Sequence, residues 1–109
     1  MTVPTDAFIA KEKLTEYLLI PKPKNDKSRF LARAGFTGQN ATDLEQALRR
    51  LLHEYEAVLD RVDIYGSFYQ VRGLLHGPTG TLAVITIWLQ QPEDNRYRFV
   101  TRKPERSQL

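Results

Sequence analysis

The stretch from Phe68 to Trp88 constrains the fold more than any other part of the chain, because it is typical of a β-hairpin. Two runs rich in β-branched and aromatic residues flank a segment of turn-forming residues, Gly77-Pro78-Thr79-Gly80. Proline presets φ at the first turn position, and glycine tolerates the positive φ of a bulge. The pattern predicts a three-residue loop, Pro78-Thr79-Gly80, and the rest of the chain is expected to extend or cover the hairpin.

Composition excludes several classes of protein. The chain has 109 residues, 41% hydrophobic and 27% charged, which predicts one globular domain over 1–109 with an ordered core over about 10–103. Without cysteine there are no disulfides or thiolate metal sites, and two histidines far apart in the sequence do not favour a metal centre. No apolar run reaches the length of a membrane span, and no signal peptide is evident. We therefore expect a cytoplasmic protein without a metal or cofactor.

The formal net charge of +3 is too small to identify a nucleic-acid-binding protein, so the distribution of charge matters more. Cations are concentrated in two stretches, one near the first helices and one at the C-terminal end. They are Lys22, Lys24, Lys27 and Arg29, and then Arg96, Arg98, Arg102, Lys103 and Arg106.

Three helices are predicted ahead of the strands, after a loose start over residues 1–5. Helical spacing of Leu14, Tyr17 and Leu18 indicates a helix over 10–19 with these residues on its apolar face. A second helix is indicated over Lys27–Ala34, with Asn25 or Asp26 as its cap. The longest helix is predicted from Asn40 or Thr42 to Tyr55, with a capping box over residues 42–45. Its buried stripe is predicted as Leu44, Ala47, Leu48, Leu51, Leu52 and Tyr55.

Four strands follow, which predicts an α+β fold: N-terminal helices packed on one face of a four-stranded antiparallel meander sheet. With the three-residue loop, Arg72 would lie opposite Thr86, and Trp88 opposite Gln70. One face would then form the core. The other would carry Gln70, Arg72, His76, Thr86, Trp88, Arg98 and Arg102, with Leu74, Leu82, Val84 and Val100 among them. The tail over 104–109 is expected to be frayed.

This outer face has three interpretations. An exposed tryptophan beside arginines is what a single-stranded nucleic-acid platform needs, since a ring stacks on bases and guanidinium groups hold phosphates. Alternatively, Arg98 stacks on Trp88 and the face is merely solvated. A third interpretation uses the aliphatic residues to pair two protomers. The candidate binding residues are Arg72, Thr86, Trp88, Arg98 and Arg102.

Two residues are weak catalytic candidates. His76 lies at the mouth of the hairpin turn and could act as a general base. Lys27 opens a predicted helix, where backbone N–H groups attract anions. The alternative for each is a solvated residue without a chemical role.

The chain resembles an uncharacterised family of small bacterial domains, stand-alone in cyanobacteria and also found at the ends of polymorphic-toxin proteins. The resemblance covers about residues 10–103. It rests on Lys13-Leu14, Tyr17-Leu18-Leu19, Pro21, Lys27-Ser28-Arg29-Phe30-Leu31, Gly35-Phe36, Tyr65-Gly66, Tyr69-Gln70-Val71, Gly73, Gly77-Pro78-Thr79-Gly80, Ile85-Thr86-Ile87-Trp88 and Arg98-Phe99-Val100-Thr101. The resemblance implies no established activity, and its toxin context suggests small ribonucleases only by analogy. Relatives often carry a histidine where this chain has Asn25-Asp26-Lys27.

Two hypotheses follow. The first is a non-catalytic module that binds a protein partner or forms a homodimer through the outer sheet face, which the lack of a visible base–acid pair favours. The second is an RNA-binding or metal-independent ribonuclease-like domain, in which Lys27 or His76 is the base and Arg72, Arg98 and Arg102 hold phosphate.

Overall fold

The structure, a computed structural model, describes residues 1–23 and 27–104. Three helices precede four strands: α1 (Lys11–Lys13), which continues as a π-helical turn over Leu14–Leu18, α2 (Ser28–Ala32) and α3 (Ala41–Glu54). The strands are β1 (Ala57–Asp63), β2 (Gly66–Gly77), β3 (Gly80–Gln90) and β4 (Tyr97–Pro104). The predicted cap at Asn25 or Asp26 and the tail beyond residue 104 lie outside the described residues. No described helix is long and apolar enough to cross a membrane.

The α+β fold is confirmed, with all strands antiparallel in the order β1-β2-β3-β4. Helix α3 buries the predicted leucine stripe against the sheet. The helix begins at Ala41 with Asn40 as its N-terminal cap residue, so the predicted start at Asn40 is confirmed and the capping box headed by Thr42 is wrong. Asn40 precedes it and accepts a hydrogen bond from Thr37 N through its Oδ1 (2.7 Å), while its amide donates to Gly35 O (2.8 Å).

The hairpin is present, but its predicted register is wrong by one residue. Gly77 pairs directly with Gly80, so the turn contains only Pro78 and Thr79, and Gly80 has no positive φ. Arg72 therefore lies opposite Ile85, and Val71 lies opposite Thr86. Because side chains alternate between faces, a one-residue slip moves every side chain of a strand to the other face.

The slip places the predicted outer residues of β3 inside the protein. Leu82, Val84, Thr86 and Trp88 are 0–6% exposed and face the helices. Trp88 packs edge-on against Phe99, with 5.2 Å between ring centroids. Its indole Nε1 donates to Thr86 Oγ1 (2.8 Å), and the Thr86 hydroxyl donates to Val71 O (3.0 Å). These bonds satisfy the polar atoms that burial removes from water.

A bulge in β4 places Arg102 inside as well. Trp88 pairs with Phe99 and Ile87 with Thr101, so Val100 is the extra residue. An extra residue shifts the alternation of the strand beyond it. Arg102 consequently lies opposite Thr86 on the inner face and is 1% exposed, whereas Arg98, before the bulge, is half-buried on the outer face.

The outer face of the sheet lies opposite the helical layer. It keeps the predicted Arg72 and Leu74, both exposed, together with Val58 from β1. Two of its large side chains are shielded: Ile87 is 6% exposed, and Phe68 is 7% exposed beneath the Arg61 guanidinium, 4.1 Å from the ring centroid. The face is therefore a mixture of cations and aliphatic groups.

The N-terminal residues are packed rather than loose, contrary to expectation. Val3, Ala7 and Ile9 are 1–7% exposed and belong to the core. Phe8 forms a parallel bridge with β4: its N–H donates to Tyr97 O (2.9 Å), and its carbonyl accepts from Phe99 N (2.8 Å). We call residues 1–9 the N-terminal segment. It covers the free edge of β4.

Candidate functional site

The predicted binding residues do not share one surface. Arg72 is exposed on the outer face, as expected, and Arg98 lies on the same face but is half-buried, with its guanidinium 5.5 Å from the Phe8 ring centroid. Thr86, Trp88 and Arg102 are buried on the inner face, so their predicted exposure is wrong. A platform in which Trp88 stacks on bases is not available in this fold.

Two predicted residues from opposite ends of the chain do come together beside β4. The Arg102 guanidinium donates from Nη2 to the backbone carbonyl of Lys27 (2.7 Å) and lies 4.8 Å from the Phe30 ring centroid. Burial lowers the pKa of Arg102 to about 10, although nearby Tyr17 acts in the opposite direction. Its Nε is buried and has no hydrogen-bond partner among the residues that the structure describes. Arg102 thus ties the start of α2 to the sheet.

Tyr17 is the centre of a group of cations, which we call the Tyr17 cluster: Tyr17, Lys13, Lys22 and Lys27. The three ammonium groups lie 5.4, 5.0 and 5.9 Å from the Tyr17 ring centroid, respectively. Within residues 1–23 and 27–104, no ion pair joins any of these lysines to a carboxylate. The ring face attracts each ammonium group, whereas the like charges repel one another.

The local sequence explains how these side chains meet. Leu14 and Leu18 are buried and orient the π-helical turn, which leaves Tyr17 half-buried beside β4. Lys13 precedes Tyr17 by four residues and therefore lies on the same side of the helical segment. Lys22 comes from the connector after the turn, and Lys27 directly precedes α2.

The Tyr17 hydroxyl reaches β4, where its oxygen lies 3.5 Å from Thr101 Oγ1. This hydrogen bond lowers the pKa of the Tyr17 phenol, and Lys27, Lys13 and Lys22 lower it further, against the opposing effect of burial. Both influences stabilise negative charge at this position. The cluster is therefore suited to holding an anion.

Lys13 also lines a groove on the outer side of β4, with a volume of about 370 Å³. Arg98 and Tyr65, which is 66% exposed, also line the groove. The rest of its lining is apolar and includes Phe68, Leu89, Phe99 and Val100. Because Lys13 belongs to both, the Tyr17 cluster and this groove form one continuous surface.

His76 lies elsewhere, in a separate cavity of about 340 Å³ between the hairpin turn and α3. Asp43 and Arg50 line the same cavity, but no hydrogen bond joins His76 to Asp43 among the described residues. His76 and Lys27, the two catalytic candidates, therefore do not form one site. Among all the residues that the structure describes, no three His, Asp or Glu side chains are grouped so as to hold a metal ion.

Sequence reasoning missed Tyr17 as a site residue, because it was assigned to the apolar stripe of the first helix. The available signal was Lys13 four residues before it, which places an ammonium group and a ring on the same helical face. The convergence of Lys22 and Lys27 on the same ring depends on the path of the connector, which no local pattern reveals.

Comparison with known proteins identifies the family but no activity. No curated protein and no solved structure matches this chain. Residues 4–106 match a family described as a domain of unknown function, DUF6883. Since the match spans nearly the whole sequence, the chain belongs to the DUF6883 family.

Proposed function

We propose that this domain binds single-stranded RNA along the surface formed by the Tyr17 cluster and the adjoining groove. The observation that carries the proposal is the gathering of three lysines around Tyr17 without a carboxylate partner among the described residues. A phosphate bound there would relieve the repulsion between the ammonium groups. Phosphate contacts of this kind dominate the affinity of proteins for nucleic acids.

The groove supplies the second requirement of single-strand binding, an aromatic surface beside the cations. Tyr65 is exposed in the lining of the groove, which Arg98 and Lys13 also line. Bases stack on exposed rings with little dependence on sequence, while cations follow the backbone. In this arrangement Tyr65 takes the role that the sequence had assigned to Trp88, and Arg98 keeps its predicted role.

Labelled single-stranded RNA, titrated with salt at several protein concentrations, tests the proposal. Lys27→Gln should weaken binding and lower the slope of log affinity against log salt by about 0.7, the value for one phosphate contact in a single strand. Tyr65→Ala should weaken binding by about 1–3 kcal/mol at every salt concentration, because it removes stacking.

Arg50→Gln is the matched control, since it removes one positive charge from α3, where Arg50 pairs with Glu54 (3.2 Å). It should leave the salt slope unchanged. The proposal is wrong if wild-type protein shows no saturable RNA binding at low salt, or if Arg50→Gln weakens binding as much as Lys27→Gln. Single-stranded DNA of the same sequence tests whether the 2′-hydroxyl contributes.

A second candidate function is the binding of a protein partner through the outer sheet face. Supporting it, Leu74 is 44% exposed and Val58 is 68% exposed on a face that also carries Arg72. Exposed aliphatic groups beside cations fit a partner that is apolar and acidic. Leu74→Glu should abolish such binding without changing the RNA salt slope, which separates the two candidate functions.

A further inference from the structure

The two edge strands of the sheet, β1 and β4, differ in how much of their backbone has a hydrogen-bond partner. The N-terminal segment covers β4 through the two backbone hydrogen bonds of Phe8. Along the outer edge of β1, the described residues supply one backbone partner, the Met1 carbonyl, which accepts from Ala57 N (2.8 Å). Beyond Ala57, the strand has no neighbour on that side among the described residues. An open edge of this kind is a template for another strand.

The open edge is also apolar. Past Ala57, every residue of β1 is exposed, including Val58 (68%), Leu59 (53%) and Val62 (66%). The turn that follows exposes Ile64 (88%). Natural sheets usually protect such edges with proline, lysine or a bulge. Strand β1 has no proline or lysine; it has a bulge at Asp60 and two charged residues beyond it, Arg61 and Asp63, and residues 61–63 pair regularly with β2.

The charged residues of β1 can pair with opposite charges in a second, antiparallel copy of the same strand. Arg61 Nε lies 3.7 Å from Asp63 Oδ2, so the two side chains share one face of the strand. In a two-fold antiparallel pairing centred on Val62, Arg61 of each copy lies opposite Asp63 of the other. Centres at Asp60, Arg61 or Asp63 would instead place identical charges opposite one another at the axis. Opposite charges directly across a strand pair are stabilising, and like charges are destabilising.

We propose that β1 is a homodimerisation strand that pairs antiparallel with β1 of a second copy, centred on Val62. The result is a continuous eight-stranded sheet in which Val62 of one copy lies opposite Val62 of the other, flanked by the two Arg61–Asp63 pairs. The pairing is isologous, as two-fold symmetry requires, and it closes, so no further copies add. This proposal does not rest on RNA binding, because the pairs that fix the register, Val62–Val62 and Arg61–Asp63, include no residue of the Tyr17 cluster or the groove.

Sedimentation equilibrium over a range of protein concentrations tests the proposed dimer. It is applied to the wild-type protein and to variants in which the charges of Arg61 and Asp63 are reversed, since only the proposed register places these two residues opposite each other. Arg61→Asp places acids opposite acids on both sides of the axis and should raise the dimer dissociation constant by roughly tenfold. The double variant Arg61→Asp/Asp63→Arg restores opposite charges and should restore the wild-type constant. Far-UV circular dichroism of each variant verifies the fold, since Arg61 also shields Phe68.

Arg50→Asp, the same charge change on α3, should leave the dimer intact. The proposal is overturned by a wild-type protein that stays monomeric up to about millimolar concentration. It is equally overturned by a dimer that Arg61→Asp does not weaken, or whose weakening the double variant does not reverse. A dimer disrupted by Leu74→Glu instead would assign the contact to the outer sheet face.

Discussion

Thr86 joins two buried groups that would otherwise lack partners. Its hydroxyl accepts from the Trp88 indole and donates to the Val71 carbonyl, and both Thr86 and Trp88 are fully buried. A hydroxyl at this position is therefore a structural requirement rather than a binding feature. Its removal leaves a buried N–H group without an acceptor, which is more costly than the loss of an average hydrogen bond.

We expect Thr86→Val to lower the free energy of unfolding by about 1–3 kcal/mol, because valine has the same shape but no hydroxyl. Denaturant-induced unfolding, followed by Trp88 fluorescence, measures the loss. Thr81→Val, on the exposed part of β3, is the control and should change stability by less than about 0.5 kcal/mol. Equal stability of Thr86→Val and the wild-type protein would contradict the hydrogen-bonded arrangement.

Tyr17 should ionise at lower pH than Tyr97. The Thr101 hydroxyl and the three lysines lower the pKa of Tyr17, whereas burial and the neighbouring Tyr69 raise that of Tyr97. Absorbance of phenolate near 295 nm, followed against pH, should therefore show an early step that Tyr17→Phe removes. Lys27→Gln should move this step to higher pH, and bound RNA should do the same.

The direction of the pKa shift of Tyr17 determines how ionisation of this residue changes the free energy of unfolding with pH. The unfolded chain ionises Tyr17 near the ordinary pKa of about 10, and the folded chain ionises it earlier. The contribution to the free energy of unfolding is therefore absent at neutral pH, appears as the pH rises through the lowered pKa, and is complete above 10. An early titration step that survives in Tyr17→Phe would show that another tyrosine is responsible.

At the scale of elements, α3 is held against the sheet by a contact that needs glycine. A Cβ at Gly73 would collide with the ring of Tyr55, the residue that ends α3. The missing side chain in β2 thus makes room for an aromatic ring from the helix above it. This explains the glycine inside a strand, where glycine otherwise weakens structure.

Gly73→Ala should destabilise the protein by about 1–3 kcal/mol through overpacking, and Gly73→Ala/Tyr55→Ala should lose less than the sum of its single changes. Thermal or denaturant unfolding of all three variants measures the coupling. Gly38→Ala is the control, since a Cβ there meets no atom within 4 Å. Additive losses would mean that the ring and the strand do not depend on each other.

Individual helices and strands could be predicted where a single local sequence pattern determines them. The register in which neighbouring strands pair could not be predicted in this way. The leucine stripe of α3 and the alternation of β2 follow from periods of 3.6 and 2, which each segment carries by itself. The hairpin register depended on whether Gly80 belongs to the turn or to β3, and both choices suit the same four residues. That single residue decided whether Trp88 lies inside or outside.

The candidate site was predictable only in part for the same reason. Lys27 and Arg102 were each recognised as cations, but Arg102 points inward only because Val100 is an extra residue in β4. Nothing in the residue types near Val100 distinguishes a bulge from a regular strand. The position of Tyr17 between lysines from three segments is likewise a long-range property.

At the scale of the whole molecule, the first and last described segments depend on each other. Ile9 is 7% exposed in the core, next to the residue that pairs with β4. We expect Ile9→Ala to lower the free energy of unfolding by about 2–5 kcal/mol, as buried large-to-small changes do. Ile20→Ala, at a side chain that is 40% exposed, should cost clearly less. Similar losses in denaturant unfolding would indicate that the N-terminal segment is not part of the core.

The bridge between Phe8 and Arg98 also has a consequence for biosynthesis. A ribosome releases the N-terminal segment well before its partner strand, and translation proceeds at about 5–20 residues per second. Val3, Ala7 and Ile9 therefore cannot take their native positions for several seconds, until β4 exists to receive Phe8. The first residues of the chain to be synthesised are thus among the last to become ordered.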